Sequence, residues 1–346
     1  MIKIKVIGVG GAGVNTLNRL SRRDLPRVGL VAVNTDAQSL AGSKIKEKIQ
    51  IGPKLTKGLG AGGNPEIGRL AANESRQDLA QAIEGADLIF VTAGLSGGTG
   101  TGAGPTIARL AKEVGATVVA IVTTPFLFEG ARAMARAEEG IASLEETADT
   151  VVVLPNQKLF QLSQEDNSLQ AAFEKADRIL IMAIKSITDL ITTPGLINLD
   201  FAAVRTIVNK GGRGFFGFGQ ASGKDRVKKL VEETFSSSLL EDTDIKGAKA
   251  CLVNIAGSAK LSIKEVNEIM EHISTCLDPK ANIIFGVTID SGLRDELRLT
   301  IISTGIKNTS LSLRKENYLK NGARTEWPDR FKYDEELDTP SFLRNK

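Results

Sequence analysis

Continuous apolar runs alternate with helix-like patterns along the first half of the chain. The runs are IKIKVIGVG, GLVAVNTD, ADLIFVTAG, TVVAIVTTP and TVVVLPN, with the shorter EKIQIG after the second. Strands that are apolar on both faces and separated by helices form a parallel sheet that is covered on both sides. Ligands of such sheets bind at the carboxyl ends of the strands. We therefore predict an α/β fold with a Rossmann-like parallel sheet and a ligand site at that edge.

The second half begins with one long helical pattern and continues as a smaller mixed-sheet region. Residues 168–192 keep the helical periodicity, and Pro194 and Gly195 end it. The runs GRGFFGFGQA, ACLVNIAG, ANIIFGVTID and ELRLTIISTGI follow. The last two are joined only by SGLRD, so we predict that they are neighbouring antiparallel strands. Beyond Ile306 the periodicity ends and charges of both signs increase, which is typical of a flexible segment.

The composition is that of a globular protein, and it restricts the partners. The 44 Lys and Arg residues are intermixed with 41 Asp and Glu, which argues against a nucleic-acid partner. No apolar stretch reaches the roughly 18 residues that span a bilayer, and no secretory signal precedes the first strand, so we expect no membrane insertion. The chain has two cysteines, Cys251 and Cys276. This low number is typical of proteins in a reducing cytoplasm, and we expect the two residues to form neither a disulfide nor a metal site.

The first of three glycine-rich segments resembles a dinucleotide-binding turn. Gly8-x-Gly10-x-x-Gly13 follows a predicted strand and precedes a predicted helix, and Asp36 ends the next strand. An acidic residue about twenty positions after the glycines completes the dinucleotide fingerprint. Taken alone, this segment favours an NAD-dependent oxidoreductase.

Two further glycine-rich segments change that picture. TKGLGAGGNPEIG places Pro65 at a helix start, and we predict AGLSGGTGTGAGP as a loop with Pro105 in the first turn of its helix. Three such turns at one sheet edge indicate a polyanion, because bare backbone N–H groups and helix N-termini bind anions. Thr99 and Thr101 add hydroxyl donors. Since the pattern GxxxxGK[ST] is absent, we predict a triphosphate cradle built from main chain rather than from a lysine.

Several motifs together carry a family resemblance. GGTGTGAGP, AVNTDAQSL, TKGLGAGGNPEIGR, TTPFLFEG, LPNQKL and TPGLINLDF all occur in the chain. With them, the chain resembles the FtsZ family of cell-division GTPases, in the tubulin superfamily, from the first strand to about Gly305. The resemblance implies GTP hydrolysis to GDP and phosphate, head-to-tail filaments that form the cytokinetic ring, and a cytoplasmic location at the midcell division site.

The resemblance also divides the chain into five predicted parts. They are a GTP-binding domain (1–167), a central helix with the start of a catalytic loop (168–197), a C-terminal mixed-sheet domain (198–306), a flexible linker (307–337) and a partner-binding peptide (Asp338–Lys346). The peptide is expected to bind membrane-tethering division adaptors as a short helix or strand.

Individual residues receive roles from the resemblance. Glu129 would hold the ribose, and Asn156 and Asp177 would read guanine. For Asp177 there is also a chemical reason, because a carboxylate accepts from the two adjacent donors of guanine and repels the bare N1 of adenine; a solvated helix position is the alternative. Asp36 joins the site through the fingerprint. The other predicted nucleotide contacts are Gly10, Gly11, Ala12, Gly13, Val14, Asn15, Gly97, Gly98, Thr99, Gly100 and Thr101.

Asp200 is the predicted catalytic residue, and it is expected to act on the nucleotide bound by a neighbouring copy of the chain. The helix from Asp177 to about Thr193 is roughly 25 Å long at 1.5 Å per residue, so Asp200 cannot reach the nucleotide of its own subunit. The resemblance implies that the 193–204 loop caps the neighbour's nucleotide, that Asp200 orients the attacking water and that Asn198 supports it. Mg²⁺ is expected on the phosphates, without protein ligands. The alternative for Asp200 is a helix N-cap.

The chain departs from the family pattern at three positions. A second aspartate is usual where this chain has Ala203, and an arginine is usual where it has Ala133, with Arg132 and Arg136 nearby as substitutes. Ser96 stands where the family's glycine run begins. Because one positioned acid or base contributes about 10²–10⁴-fold in rate, a GTP-binding filament scaffold with little or no hydrolysis is the alternative function.

Overall fold

The computed structural model describes residues 2–20, 25, 28–157, 168–192, 195–197, 200–236, 245 and 247–306. Its first six strands form a parallel sheet in the order β3-β2-β1-β4-β5-β6. All residues of β5 and β6 are buried, which accounts for their continuous Val and Ile runs. The predicted parallel α/β sheet is therefore confirmed. The strands are β1 Ile4–Val9, β2 Val28–Asn34, β3 Glu47–Gln50, β4 Leu88–Gly94, β5 Thr117–Thr124 and β6 Thr150–Pro155.

Helices connect these strands, as the alternating pattern predicts. A short 3₁₀ turn at Leu127–Glu129 precedes the last of them. The helices are α1 Gly10–Arg19, α2 Ala37–Ala41, α3 Pro53–Thr56, α4 Pro65–Glu74, α5 Arg76–Ile83, α6 Gly98–Glu113 and α7 Ala131–Thr147.

One local prediction in this region is wrong. The segment predicted as a glycine-rich loop is mostly helix: α6 begins at Gly98, and Pro105 lies inside it rather than in its first turn. Buried packing explains the difference, because every residue from Gly98 to Ala108 is buried. Tertiary contacts therefore outweigh the low helix propensity of glycine and proline at these positions.

The rest of the described chain forms a long helix, three shorter helices and four more strands. The helix α8 buries a stripe at helical spacing, which includes Leu180, Ile184 and Ile187, against the sheet. The elements are α8 Leu169–Thr192, α9 Phe201–Val208, β7 Arg213–Ser222, α10 Arg226–Ser236, β8 Ala250–Gly257, α11 Ile263–Cys276, β9 Asn282–Ile289 and β10 Glu296–Ile306.

The mixed sheet is confirmed, but its strand order differs from the prediction. The order is β7-β10-β8-β9, so the last two strands are not neighbours. β9 pairs with β8 in parallel, while β10 lies between β7 and β8 and is antiparallel to both. The crossover through α11 brings β9 back beside β8, which leaves the other edge of β8 for β10. A short connection therefore does not imply direct pairing here.

The two groups of strands join in one ten-stranded sheet. The junction between β6 and β7 has only two residue pairs, Val151 with Arg213 and Val152 with Gly214. One hydrophobic cluster contains Phe90 from the first group, Ile184 from α8, and Ile302 from the second group. The two groups therefore share a core.

Several predicted boundaries lie at or beyond the limits of the description. Residues 158–167, 193–194 and 198–199 are outside it, and so are the predicted linker and terminal peptide after residue 306. The five-part division of the chain therefore stays a prediction. Among the described helices, none has the length and apolar character needed to cross a membrane.

Candidate nucleotide-binding site

A cavity of about 370 Å³ lies at the carboxyl ends of the parallel strands. This is the sheet edge that the sequence predicts for ligand binding. Most of the predicted contact residues line it, whereas Gly13, Val14, Asn15 and Thr101 do not. The predicted residues that do line it are Gly10, Gly11, Ala12, Asp36, Gly97, Gly98, Thr99, Gly100, Glu129, Asn156 and Asp177.

Two helices begin at this cavity without a side-chain cap. The N-cap residues are Val9 for α1 and Gly97 for α6, and neither supplies a side-chain hydrogen bond to the first turn. The first N–H groups of a helix have no intrahelical partner, and the helix dipole makes this end positive. The hydroxyls of Thr35 and Thr99 are hydrogen-bonded to each other at 2.7 Å, and both residues line the cavity, so one of the two O–H groups is left to donate to a ligand. This end of the cavity therefore has the donors that a phosphate group needs.

Glycine is required where the two helix starts meet. Gly10 has a φ of 71°, and a Cβ there would lie 3.0 Å from the backbone nitrogen of Gly100. A Cβ on Gly13 would lie 2.4 Å from the carbonyl oxygen of Thr92 in β4. Gly13 thus lets α1 pack closely on the sheet, which explains why the fingerprint includes it although it does not line the cavity.

The part of the cavity beside the last turn of α1 contains a partly buried carboxylate with two partners. The Asp177 side chain is 13% exposed. Its Oδ1 accepts a hydrogen bond from the Thr16 hydroxyl at 2.6 Å, and its Oδ2 lies 3.1 Å from the Arg19 Nε. Burial raises the pKa of the Asp177 carboxyl above its ordinary value, and Thr16 and Arg19 act against that rise. Asp177 is therefore not the solvated helix position that was the alternative.

Asn156 offers an acceptor at the same cavity. Its Oδ1 atom is buried and has no hydrogen-bond partner among the described residues. A buried polar atom without a partner has a substantial free-energy cost unless a ligand or water satisfies it. The Asn156 carbonyl oxygen therefore suits a ligand that carries an N–H donor.

An aromatic side chain completes the cavity wall. Phe173 is 43% exposed and lines the cavity, and its ring lies edge-on to Phe126 with a centroid distance of 5.2 Å. Phe126 in turn stacks on Phe128 at 5.0 Å. Sequence reasoning missed Phe173 and Thr16, because the contacts that bring them to the site join distant parts of the chain.

The ionisable side chains that line the cavity are all acidic. Asp36 and Glu129 join Asp177 there, and no Lys or Arg is among the described lining residues. Asp36 caps α2 by accepting from the Ser39 backbone at 2.9 Å, and Glu129 accepts from the Phe126 backbone at 2.8 Å. The groups of this cavity that could donate to an anion therefore include main-chain N–H groups and hydroxyls, and the triphosphate cradle stays a prediction.

Comparison with known proteins identifies the family. Residues 3–164 match the Tubulin/FtsZ family GTPase domain, and residues 212–307 match the FtsZ family C-terminal domain. Cell division protein FtsZ 1 of Archaeoglobus fulgidus is 47% identical over 312 residues, which are 90% of this chain and 84% of the relative. The chain belongs to the FtsZ family. Members of this family are cell-division GTPases that form filaments, so the predicted recognition and enzyme class are confirmed and the oxidoreductase alternative is wrong.

Other relatives agree with this assignment. FtsZ 1 of Pyrococcus abyssi is 45% identical over 314 residues, 91% of this chain and 84% of the relative. A structure of an empty FtsZ dimer from M. jannaschii matches with a TM-score of 0.82 at 45% identity, covering 88% of both chains. A GTPγS-bound protofilament of CetZ2 from Haloferax volcanii matches with a TM-score of 0.78, covering 92% of this chain and 97% of that chain; its 22% identity shows a shared fold alone.

Of the two predicted catalytic residues of this FtsZ family member, Asp200 can be placed, and it does not line the cavity. Asn198 lies outside the described residues. Asp200 is exposed and caps α9, with its Oδ1 accepting from the Ala203 backbone at 2.6 Å. Asp177 and Thr192 are about 22 Å apart along α8, so Asp200 follows the far end of that helix. The N-cap alternative describes the local structure of Asp200.

The three residues that depart from the FtsZ pattern, Ser96, Ala133 and Ala203, differ in backbone conformation and in burial. Ser96 has a φ of 101°, in the region that favours glycine. Arg136 donates from Nε to the Ser96 carbonyl at 3.0 Å, so it contacts the turn that precedes α6. Ala133 is buried. Ala203 is half-buried in the first turn of α9.

Proposed function

We propose that the cavity binds GTP, with the triphosphate at the starts of α1 and α6 and the guanine between Asn156 and Asp177. The observation that carries this proposal is that two uncapped helix N-termini share one cavity with the buried Asn156 Oδ1 and the partly buried Asp177 carboxylate. The helix ends suit a polyanion, and the acceptors suit the N–H groups of a guanine ring.

The base contacts explain a preference for guanine over adenine. Asp177 accepts from the N1–H and the exocyclic amine of guanine, and adenine lacks that pair of donors. Phe173 supplies an exposed ring face that can stack on the base. Glu129 holds the ribose, as the family resemblance implies.

Mg²⁺ fits this site as an ion carried by the phosphates. The donors near the phosphate position are hydroxyl and main-chain groups, and the described residues contain no group of three His, Cys, Asp or Glu that could hold a metal. Mg²⁺ is a hard cation that keeps several waters and binds substrate phosphates. When bound, it neutralises charge on the phosphates.

Hydrolysis takes place between two copies of the chain. Asp200 follows the end of α8 that is remote from Asp177, so it serves the nucleotide of the next subunit and orients the attacking water, with Asn198 in support. A contact between opposite ends of identical subunits does not close, and it therefore builds a filament.

The test is the dependence of GTP hydrolysis on protein concentration. With Mg²⁺ present, phosphate release per subunit should rise steeply as light scattering reports assembly. Asp200→Asn should abolish hydrolysis and leave GTP binding intact, while Asp225→Asn removes an exposed carboxylate from a turn as a control. Equal turnover per subunit at all concentrations would contradict the shared site.

A scaffold with little hydrolysis is the second candidate, and Ala203 favours it. Ala203→Asp restores a second carboxylate one helical turn from the Asp200 N-cap. If the missing carboxylate limits the rate, phosphate release should rise by about 10²-fold or more without a change in GTP affinity. An unchanged rate would show that position 203 has no catalytic part.

The proposal also covers the cellular location of the filaments and the role of the terminal peptide. Filaments at the midcell division site form the cytokinetic ring, and the peptide Asp338–Lys346 recruits membrane-tethering adaptors after the linker 307–337. Removal of residues 338–346 should leave polymerisation intact and abolish recruitment to adaptor-coated vesicles. Loss of polymerisation would refute this role of the peptide.

A further inference from the structure

The Asp177 carboxylate is held by two side chains of another helix. Thr16 and Arg19 lie three residues apart on α1, whereas Asp177 lies on α8. The Thr16 hydroxyl contacts Oδ1 at 2.6 Å and its own helix carbonyl, Ala12, at 3.1 Å. A hydroxyl has one proton, and the shorter contact to the charged acceptor is the stronger. One side chain of α1 thus holds each Asp177 oxygen.

We propose that Thr16 and Arg19 are positioning residues that set guanine selectivity by fixing the orientation of the Asp177 carboxylate. This inference rests on the proposed function, in which Asp177 reads guanine. Each carboxylate oxygen has about two acceptor positions. Thr16 occupies one acceptor position of Oδ1, and Arg19 forms an ion pair with Oδ2, which leaves acceptor positions on both oxygens for the N1–H and the amine of guanine.

The same two contacts also oppose the effect of burial on the pKa of the Asp177 carboxyl. Burial favours the protonated acid, and a protonated Asp177 would lose an acceptor for guanine. Thr16 and Arg19 lower the pKa of Asp177, while Glu174, 3.9 Å from Arg19, raises it. These are the groups that influence Asp177 from α1 and from its own helix.

The same helix serves both ends of the nucleotide. The first residue of α1, Gly10, lines the phosphate end of the cavity, and its last two turns hold Asp177. α1 has ten residues and is about 15 Å long. The phosphate contacts and the base-reading carboxylate are therefore fixed to one rigid element, which ties recognition of the base to correct placement of the triphosphate.

The test compares GTP with ITP, which lacks only the exocyclic amine, and with ATP. Competition binding on the full chain should show that Thr16→Val lowers GTP affinity about tenfold and reduces the GTP-to-ITP ratio, because a hydrogen bond to a charged group is lost. Thr16→Ser should restore both. The acid limb of GTP binding should move to higher pH in Thr16→Val and in Arg19→Gln.

Two controls separate the possible failures. The Thr147 hydroxyl also donates to the carbonyl four residues earlier, at 2.8 Å, and has no carboxylate partner within the part of the chain that the structure describes, so Thr147→Val should leave the GTP-to-ITP ratio unchanged. Asp177→Asn should lose GTP and gain xanthosine triphosphate, whose C2 carbonyl accepts from the new amide. If Asp177→Asn still prefers GTP, the proposed base recognition is wrong. If it behaves as expected but Thr16→Val keeps the wild-type ratio, or Thr16→Ser does not rescue it, the positioning role is wrong.

Discussion

At the residue scale, Ser96 is the clearest case of a side chain in a backbone conformation that suits glycine. Its φ of 101° is rarely adopted by residues with a Cβ, and Arg136 and Thr101 hold its backbone through hydrogen bonds. The residue lines the cavity of the candidate nucleotide site, so the strain lies where a ligand is proposed to bind. The structure thus gives a physical meaning to the serine at position 96, which the sequence shows only as a departure from the glycine that is usual in the family.

Ser96→Gly should therefore stabilise the protein by about 1 kcal/mol, because relief of strain exceeds the added entropy of the unfolded chain. Urea unfolding measures the change in the free energy of unfolding. Ser96→Ala keeps the Cβ and should give no gain. A stabilisation by alanine as large as that by glycine would show that the hydroxyl, and not the backbone, is responsible.

The two cysteines should differ sharply in reactivity. Burial raises the pKa of the Cys251 thiol to about 12, whereas Cys276 is half-buried near the end of α11. The thiolate is the reactive form, so at pH 8 a thiol reagent should modify Cys276 quickly and Cys251 only after unfolding. Cys276→Ser should remove the fast phase. A fast phase that persists in this variant would contradict the burial of Cys251.

At the scale of elements, the crossing of α4 and α6 depends on glycine. A Cβ at Gly102 would lie 1.8 Å from the Pro65 carbonyl oxygen, which is backbone and cannot move without α4. At Gly104, on the same helix, the nearest atom is a Leu144 methyl at 4.0 Å. Two glycines that look equivalent in the sequence thus differ in the space around them: a Cβ is excluded at Gly102 and tolerated at Gly104.

Gly102→Ala should destabilise the protein by about 3 kcal/mol, although alanine is the better helix former, because the backbone of α4 must shift. Gly104→Ala should be neutral or stabilise by up to about 1 kcal/mol. Thermal and urea unfolding of the matched pair test this. Equal effects at both positions would mean that the crossing is looser than the structure shows.

A second prediction concerns the ion pair between α10 and α11. Arg226 contacts Glu265 at 2.7 Å and Asp295 at 3.0 Å, and chiefly Arg226 lowers the pKa of Glu265 from its ordinary 4.5 to about 2. A lowered pKa in the folded state contributes stability above pH 4.5, which is lost as the pH falls towards 2. The stability difference between wild type and Glu265→Gln should therefore shrink over that range. Glu268→Gln, at an exposed position of the same helix, is the control, and a difference that stays constant with pH would refute the ion-pair contribution.

The sequence predicts the elements better than their arrangement. Runs such as TVVAIVTTP identify buried parallel strands because both faces of the sheet are covered. The position of β10 between β7 and β8 depends on pairing across the whole second half, which local patterns do not contain. Likewise, glycine turns predict the phosphate end of the site, but the contact of Thr16 with Asp177 joins residues 161 positions apart. Only the fold brings such residues together.

At the scale of the whole molecule, the shared core couples the two groups of strands. Their hydrogen-bonded junction is short, but one hydrophobic cluster extends from Phe90 through α8 to Ile302. Apolar burial contributes more to stability than two residue pairs of a sheet ladder. The described region should therefore unfold as one cooperative unit.

Labelling of Cys251 tests this coupling at a distance. In a Cys276→Ser background, GDP at about 100 times its dissociation constant should slow the modification of Cys251 by roughly 100-fold, because binding stabilises the folded state by about 2.7 kcal/mol. If GDP leaves the rate unchanged, the second half opens independently of the nucleotide site.

The proposed phosphate end of the cavity consists of main-chain N–H groups and small residues. This limits the ways in which amino-acid substitutions can alter its contacts with a ligand. Side-chain exchange cannot delete a peptide N–H; apart from proline, it can only fill the space in front of it. A compound that imitates the triphosphate contacts would thus meet the same atoms in every sequence variant. In the proposed arrangement, resistance to such a compound would require a larger side chain in front of these N–H groups, and that side chain would exclude GTP as well. At the proposed base end the contacts come from side chains, so single substitutions there can remove them.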